Sequence, residues 1–281
     1  MKILVTGANG QLGKCIKDAS IDFPKIEFTF VSKEELDITN EASVSEIFSK
    51  NNFDYCINTA AYTNVEKAES EPEQAFLINA EAVKNLARCC KNTNTVLIQV
   101  STDYVFDGKK TTPYKEEDST NPINVYGASK LKGEQYIHEV YEKYFIIRTS
   151  WLYSQYGHNF YNSMIRFAKE GKDLKITTEQ TGTPTNANDL ARAILEIIKS
   201  SSNNYGIYHV SNAGETTWYG FAKEILTQTN QLNTTNLVKT DHYSTFAARP
   251  KYSVLDNKNH SKVFNSILLD WKKSLKNITT N

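Results

Sequence analysis

The sequence predicts an α/β protein built around a doubly wound parallel sheet, with a smaller mixed α/β lobe. Short apolar and β-branched runs alternate with segments of helical period through the first half of the chain. The runs are apolar on both faces, which is typical of parallel strands covered by helices on either side. After Thr149 the chain is richer in loops and isolated aromatic residues, which predicts a second lobe made of separated pieces.

The apolar runs and the segments between them predict the elements in chain order. The predicted strands are residues 3–6, 28–31, 55–58, 96–100, 145–149 and 206–210. The predicted helices are about 10–19, 41–50, 72–91, 125–143 and 188–199. Asn40 is a plausible cap for the second helix, and Pro72 suits a first helical turn. Residues 232–244 are predicted to be a surface connection and 277–281 a frayed tail.

Three glycines spaced three apart follow the first predicted strand directly. Gly7, Gly10 and Gly13 stand in the stretch GANGQLG. Such glycines allow a turn with positive φ, close approach of the backbone to a pyrophosphate, and close packing of helix on strand. The first amides of the following helix complete an anion site. The pattern predicts a Rossmann-type unit that binds a nicotinamide dinucleotide, with an ordinary glycine-rich turn as the alternative.

Composition excludes several other classes of protein. Lys+Arg and Asp+Glu both number 32, and this balance argues against a nucleic-acid or membrane surface. No apolar run is long enough to span a bilayer, and the N-terminus enters a strand at once, so a cytoplasmic enzyme is expected. The cysteines lack the spacing of metal ligands and are expected to be reduced packing residues; they are Cys15, Cys56, Cys89 and Cys90.

Tyr126 and Lys130 place a phenol and an ammonium four residues apart on one face of a predicted helix. A nearby cation is expected to lower the pKa of the phenol from about 10 toward neutrality, where it could serve as an acid or base. Tyr219 and Lys223 have the same spacing. That second pair lies outside the parallel-sheet half, where an amphipathic helix is the simpler interpretation.

The predicted strand 96–100 runs into Ser101, Thr102 and Asp103, at the edge of the sheet where ligands lie. A hydroxyl there could hydrogen-bond to the carbonyl oxygen of a substrate and polarise it for hydride attack. The alternative is that these residues only form a turn, which strand ends often carry.

With these residues, the whole chain resembles the extended short-chain dehydrogenase/reductase family, and more narrowly its reductases of dTDP-linked 4-keto-6-deoxy sugars. The STDYVF and RTSW stretches are specific to that narrower group. The matching stretches span both lobes in order: GANGQLG from Gly7, LDIT from Leu36, NTAAYTNVEKAE from Asn58, STDYVFDG from Ser101, VYGASK from Val125, RTSWLY from Arg148, QTGTPT from Gln180 and ARP from Ala248.

The resemblance implies a role for each matching residue. Tyr126 would protonate the C4 carbonyl oxygen, Lys130 would hold the nicotinamide ribose, and Thr102 would take a hydroxyl position that many relatives fill with serine. The implied cofactor-binding residues are Gly7, Gly10, Gln11, Leu12, Gly13, Asp37, Ile38, Ala60, Ala61, Tyr62, Tyr126 and Lys130. The implied substrate-binding residues are Thr102, Asp103, Trp151, Thr63, Val65, Trp218 and Arg249, with the two tryptophans as core aromatics in the alternative interpretation.

The implied reaction is the NADPH-dependent reduction of the C4 ketone of dTDP-4-dehydro-L-rhamnose to dTDP-L-rhamnose. Residues 1–150 with about 187–210 would bind NADP(H), and about 151–186 with 211–281 would bind the nucleotide sugar. One alternative is a nucleotide-sugar 4-ketoreductase of different stereochemistry. Another is a non-catalytic NADP-binding regulatory subunit, against which the presence of Thr102, Tyr126 and Lys130 argues.

The cofactor and assembly expectations rest on fewer residues. An NAD-selective site usually has an acid at the end of the second strand, but here Ser32 and Lys33 precede Glu34, so NADPH is expected, with NADH as the alternative. The family is associated with magnesium at a subunit contact. Cys15 stands where a carboxylate ligand would help, so no metal site is predicted. A homodimer is left open, because the sequence shows no self-complementary face.

Overall fold

The structure, a computed structural model, describes residues 1–241 and 243–279. Its strands are β1 (Lys2–Thr6), β2 (Glu27–Val31), β3 (Tyr55–Asn58), β4 (Val96–Thr102), β5 (Tyr144–Thr149), β6 (Leu152–Tyr153), β7 (Leu174–Thr177), β8 (Thr181–Gly182), β9 (Thr185–Asn186), β10 (Gly206–His209), β11 (Thr216–Thr217) and β12 (Leu237–Thr240). Its helices are α1 (Gln11–Ala19), α2 (Glu41–Lys50), α3 (Val65–Ala68), α4 (Pro72–Phe76), α5 (Ala82–Thr93), α6 (Val125–Val140), α7 (Phe160–Lys169), α8 (Ala187–Lys199), α9 (Trp218–Gln228), α10 (Lys258–Phe264) and α11 (Trp271–Thr279).

A six-stranded sheet in the order β10-β5-β4-β3-β1-β2 forms the centre of the molecule, and every neighbouring pair is parallel. The chain leaves β1 toward β2 on one side and returns to β3 on the other. The crevice between β1 and β3 is therefore the point where the strand order reverses, which is where open α/β sheets bind ligands. This architecture confirms the predicted doubly wound α/β fold.

Alternate residues of each central strand face opposite helical layers, because side chains follow a two-residue period along a strand. On β1, Ile3 and Val5 pack with α1 and α8, whereas Leu4 packs with α2 and α5 on the other face. A separate apolar cluster lies among α7, α9 and α11. The sheet is buried on both faces, and only the loops at its carboxyl edge are left to form a site.

Two helices differ from their predicted bounds. The predicted helix 72–91 is interrupted between α4 and α5 by a π-helical turn at Leu77–Glu81. The predicted helix 125–143 ends at Val140, because Tyr144 already begins β5.

The prediction of a surface connection at 232–244 is wrong in part. A 3₁₀ turn covers Leu232–Thr234, and β12 pairs in parallel with β7. The prediction of a frayed tail is also wrong up to residue 279, since α11 buries Trp271 and Leu275. Residue 242 and the end of that predicted tail, 280–281, lie outside the described residues. The boundaries predicted for the two units stay predictions.

None of the helices within the described ranges is long and apolar enough to cross a membrane.

Candidate active site

An open cleft of about 860 Å³ follows the carboxyl ends of the central strands. It begins at the turn after β1, passes the ends of β3 and β4, and reaches the segment after β5. The predicted residues that line it are Gly7, Gly10, Gln11, Leu12, Asp37, Ile38, Ala60, Ala61, Tyr62, Thr63, Thr102, Asp103, Tyr126, Lys130 and Trp151.

The turn between β1 and α1 depends on Gly7. Its φ is +69°, and an added Cβ would lie 2.6 Å from the Ala60 nitrogen, so a side chain is excluded by both conformation and space. The Gly10 amide donates to the Gly7 carbonyl at 2.9 Å, which closes the turn. Gly13 packs one helical turn further on, where an added Cβ would lie 2.6 Å from the same carbonyl oxygen.

The start of α1 points at the cleft and is held from the second half of the chain. Gly10 caps the helix without a side-chain hydrogen bond, so the first amides are free to meet an anion. The Gln11 carboxamide donates to the Leu152 carbonyl at 3.4 Å and accepts from the Ser154 hydroxyl at 3.2 Å. These contacts fix the glycine turn against the segment that follows β5.

One end of the cleft is formed by residues that follow β2. The exposed side chains of Lys33 and Glu34 line it, next to Asp37 and Ile38. The Asp37 carboxylate accepts from the amide and the hydroxyl of Thr39, which lowers its pKa. A cation and two carboxylates therefore share this end of the cleft.

The cap of α6 sets the position of Tyr126. The Asn124 side chain accepts from the Gly127 amide at 2.7 Å and donates to the Ala248 carbonyl at 2.8 Å. An added Cβ at Gly127 would lie 2.2 Å from the Tyr104 carbonyl oxygen, so only glycine lets α6 approach the turn that follows β4. The half-buried Tyr126 ring meets the Tyr104 ring edge-on, with centroids 5.9 Å apart.

Thr102 joins Tyr126 to Asp103. Its hydroxyl donates to the Asp103 carboxylate at 3.0 Å and accepts from the Tyr104 amide at 3.1 Å. Burial raises the pKa of Asp103 to about 7, and the hydrogen bond from Thr102 opposes that increase only in part. The second carboxylate oxygen of Asp103 has no partner among the described residues. The carboxyl group can thus carry or lack a proton near neutrality.

The expectation that Lys130 lowers the pKa of Tyr126 is wrong for this arrangement. Burial raises that pKa well above its usual value, and a hydrogen bond with Thr102 only partly opposes it. Lys130 is itself 4% exposed, and its ammonium donates to the Val100 carbonyl at 2.7 Å. Burial also lowers the pKa of Lys130 to about 8. Tyr126 is therefore a protonated phenol at neutral pH.

Trp151, which follows β5, forms the wall at the end of the cleft opposite the residues that follow β2. It has the positive φ of +44° that non-glycine residues rarely adopt, and its ring stacks on Trp218 with centroids 3.7 Å apart. The Trp218 nitrogen donates to the Gln180 side chain at 2.9 Å. Trp151 faces the cleft, whereas Trp218 supports it from behind.

Three of the predicted substrate residues stand away from the cleft wall. Within the ranges that the structure describes, that wall does not include Val65, Trp218 or Arg249. Arg249 pairs with Glu66, at 2.7 Å between guanidinium and carboxylate, and borders a smaller cavity of about 210 Å³. Glu66 also accepts from the Phe246 amide at 2.7 Å, so it ties α3 to the segment before Arg249.

Asn79 is a functional candidate that the sequence reasoning missed. It is 1% exposed in the π-helical turn, accepts from the Tyr62 amide at 2.9 Å and donates to the Ser129 hydroxyl at 3.0 Å. It joins the loop after β3, which carries Tyr62, to the part of α6 between Tyr126 and Lys130. A π-helical turn often marks a functional site, but a sequence read at the 3.6-residue period does not show one.

Cysteine and metal chemistry find no support in the described part of the chain. All the cysteines there are free and buried, including Cys15 on α1. No group of three or more His, Cys, Asp or Glu residues in that part could hold a metal ion.

Comparison with known proteins gives consistent results over the full length. Residues 1–281 match the family model of the RmlD substrate binding domain. The chain is 37% identical over 287 aligned residues to dTDP-4-dehydrorhamnose reductase of Aggregatibacter actinomycetemcomitans, covering 99% of this chain and 98% of that protein.

Solved structures agree with that match. A crystal structure of dTDP-4-dehydrorhamnose reductase from Bacillus anthracis in complex with NADP has a TM-score of 0.94 and 38% identity, covering 99% of this chain and 98% of that one. A dTDP-4-dehydrorhamnose reductase structure from Clostridium acetobutylicum has a TM-score of 0.93 and 40% identity, covering 100% and 99%.

Proposed function

The chain belongs to the RmlD substrate binding domain family, and we propose that it reduces the C4 ketone of dTDP-4-dehydro-L-rhamnose with NADPH, giving dTDP-L-rhamnose. The names of its full-length relatives support this reaction. The observation that carries the proposal is the meeting of Thr102 and the protonated Tyr126 in the cleft that begins at the glycine turn.

The residues at the β1–α1 turn fit a dinucleotide. A Cβ would fill the space at Gly7, and the uncapped amides at the start of α1 suit a pyrophosphate. Gly10, Gln11 and Leu12 would hold that group, with Asp37 and Ile38 toward the adenine. The relative from Bacillus anthracis was solved with NADP.

The end of β2 supports NADPH over NADH. The exposed ammonium of Lys33 lines the cleft and could meet a 2′-phosphate. Glu34 stands beside it in the same wall, so the preference depends on which side chain faces the ribose. Replacing Lys33 therefore tests the cofactor preference at this end of the cleft.

The proton comes from Tyr126. The hydride is supplied by NADPH when that cofactor is bound. Tyr126 gives its phenol proton to the C4 oxygen as negative charge develops there. The Thr102 hydroxyl donates to the same oxygen by turning its one proton from Asp103 toward the substrate. Because burial raises the pKa of Tyr126, the phenol is protonated over the whole neutral range and carries the proton that the step needs.

Trp151 and Asp103 hold the sugar in this proposal. The Trp151 indole lines the cleft, where the apolar part of a 6-deoxy sugar can pack against it. Asp103 is 2% exposed and accepts from the Thr102 hydroxyl, so it acts on the sugar by orienting Thr102. Arg249 and Trp218 act behind these residues by holding loops in place.

The test is oxidation of NADPH by the purified protein with dTDP-4-dehydro-L-rhamnose generated in place. In Tyr126→Phe we expect turnover to fall at least about 100-fold, because a general acid contributes about that much, while the Kd for NADPH stays unchanged. Tyr219→Phe is the matched control, since Tyr219 and Lys223 share the same spacing on α9, away from the cleft.

The product and the variant decide between outcomes. Formation of dTDP-L-rhamnose by the wild type alone supports the reaction and the acid together. The C4 epimer as product would keep the mechanism but replace the proposed reaction. Near-normal turnover in Tyr126→Phe would refute the assignment of the acid.

A further inference from the structure

Helix α6 carries a buried carboxylate one turn beyond Lys130. Glu134 is 4% exposed and Arg148, on β5, is 2% exposed. The Arg148 guanidinium donates to both oxygens of Glu134, at 3.0 Å from Nε and 2.7 Å from Nη2. The Ser101 hydroxyl donates to the same carboxylate. This pair lies directly behind the cleft wall that Lys130 forms.

The charges around Lys130 come from several elements. On its own helix it faces Glu134 and, toward the N-terminus, the neutral phenol of Tyr126. Its ammonium donates to the Val100 carbonyl of β4, and Arg148 on β5 pairs with the same carboxylate, Glu134, that acts on Lys130. Asp103, on the turn after β4, is the other carboxyl group in this wall.

Two described neighbours of Arg148, His209 and Phe106, are uncharged. Burial, and then Arg148 itself, lower the pKa of His209 to about 3, so this histidine is neutral beside the guanidinium. The guanidinium also lies over the Phe106 ring at 5.2 Å. Glu134 is therefore the carboxylate that balances two buried cations, Lys130 and Arg148.

We propose that Glu134 is a positioning residue of the reduction: it keeps Lys130 protonated at the cleft wall, with Arg148 fixing the carboxylate in place. The inference rests on the proposed function for the role of Lys130 toward the cofactor. An ion pair is costly to bury, and removing one partner leaves the other as an unpaired buried charge. A role in keeping Lys130 protonated gives a reason for such a pair at this point.

The direction of the effect follows from burial. Burial lowers the pKa of Lys130 to about 8, and Glu134 opposes that decrease. Without the carboxylate, Lys130 would lose the charge that favours its protonated form, and the Arg148 cation would be left unpaired. A unit charge one helical turn away, at an effective dielectric constant of about 20, shifts a pKa by about one to two units. Lys130 would then lose its proton within the neutral range.

The experiment measures the Kd for NADPH and the kcat/KM for the sugar from pH 5.5 to 9.5. Affinity for NADPH and kcat/KM should both fall at alkaline pH, where Lys130 loses its proton; this fall is the alkaline decline. In Glu134→Gln we expect the decline to begin about one pH unit or more lower than in the wild type, with both values recovered near pH 6. In Arg148→Met we expect it to move toward alkali. The double variant, which removes both charges, should return near the wild-type position.

Ser101→Ala is the control, because it removes a hydrogen bond to Glu134 without changing any charge, and its decline should stay in place. A structural role alone cannot shift the two single variants in opposite directions. Unmoved or parallel declines in Glu134→Gln and Arg148→Met would overturn the inference. If Glu134→Gln does not fold, the inference is tested by Arg148→Met and the double variant. An alkaline decline in Arg148→Met at the same pH as in the wild type would overturn the inference.

The two readouts separate this inference from the proposed function. NADPH binding needs no sugar substrate. Opposite shifts in the Kd profile with no turnover of dTDP-4-dehydro-L-rhamnose would refute the proposed substrate and leave the role of Glu134 standing.

Discussion

Gly182→Ala tests whether Trp151 shapes the sugar side of the cleft. The Trp151 indole lies directly on Gly182, and an added Cβ would stand 2.5 Å from its Cε2 atom and 2.8 Å from Nε1. Carbon atoms in contact are about 3.5–4.0 Å apart, so the ring must move by about 1 Å or more. The stack with Trp218, with ring centroids 3.7 Å apart, restricts how far the ring can shift without disturbing that pair.

The size of the effect follows from that displacement. Overpacking and a disturbed aromatic stack lower the free energy of unfolding by about 1–3 kcal/mol. Since Trp151 faces the cleft, the sugar is misplaced by a similar distance, which typically costs about 10- to 100-fold in kcat/KM. The nucleotide end of the cleft is untouched, so the Kd for NADPH should stay within about twofold.

The assay compares sugar kinetics, NADPH binding and the near-ultraviolet circular dichroism of the indole pair. Gly171→Ala is the matched control: Gly171 has a φ of +66° with nothing within 4 Å of an added Cβ. That variant carries backbone strain of about 1 kcal/mol without touching Trp151. Unchanged sugar kinetics in Gly182→Ala, together with an altered indole spectrum, would refute the placement of the sugar on Trp151.

Two further variants test other ends of the site. Lys33→Ala should lower the NADPH-to-NADH ratio of kcat/KM by about fivefold, through loss of an exposed cation near the 2′-phosphate. Lys14→Ala, which removes a lysine from α1, is the control for this variant. An unchanged ratio in Lys33→Ala would contradict the placement of the 2′-phosphate. Glu66→Gln should lower thermal stability modestly, because Glu66 is partly exposed and solvent screens its pair with Arg249. Burial raises the pKa of Glu66, but hydrogen bonds from Arg249 and two backbone amides outweigh burial and bring the pKa below the usual 4.5. The pair therefore stabilises the fold above pH 4.5, and this stabilisation is lost as the pH falls through the lowered pKa. A Tm difference from wild type that persists in acid would contradict this.

The central sheet could be predicted because its strands carry their signal locally. Each is a short apolar run buried on both faces, and the glycine turn after β1 marks where the strand order reverses. The second lobe carries weaker signals. Its strand β12 is half-exposed and lies in a stretch rich in Asn and Thr, so only its pairing with β7 reveals it.

The candidate site was predictable where a residue follows a strand or sits in a motif, as Gly7, Thr102 and Tyr126 do. It was not predictable where residues distant in the chain meet. Glu66 and Arg249 are 183 positions apart, and Asn79 reaches Ser129 only because a π-helical turn reorients it. No local pattern encodes such contacts, since they depend on how the loops pack.

The pKa of Tyr126 was predicted in the wrong direction for a related reason. Spacing of four residues places Lys130 on the same face of α6, but it does not place the ammonium beside the phenol, and here the ammonium meets the Val100 carbonyl. Burial then dominates and makes Tyr126 a reluctant acid. A phenol in this position gives up its proton readily only when positive charge stabilises the phenolate that remains. Lys130 is the nearest cation on α6 able to do so. In the proposed reaction, the rate of proton donation would therefore follow the charge state of Lys130, whose pKa burial lowers and Glu134 raises. If both proposals hold, the acid and the ion pair behind Lys130 respond to pH together, so Glu134→Gln should shift the pH profile of the proton transfer as well as that of NADPH binding.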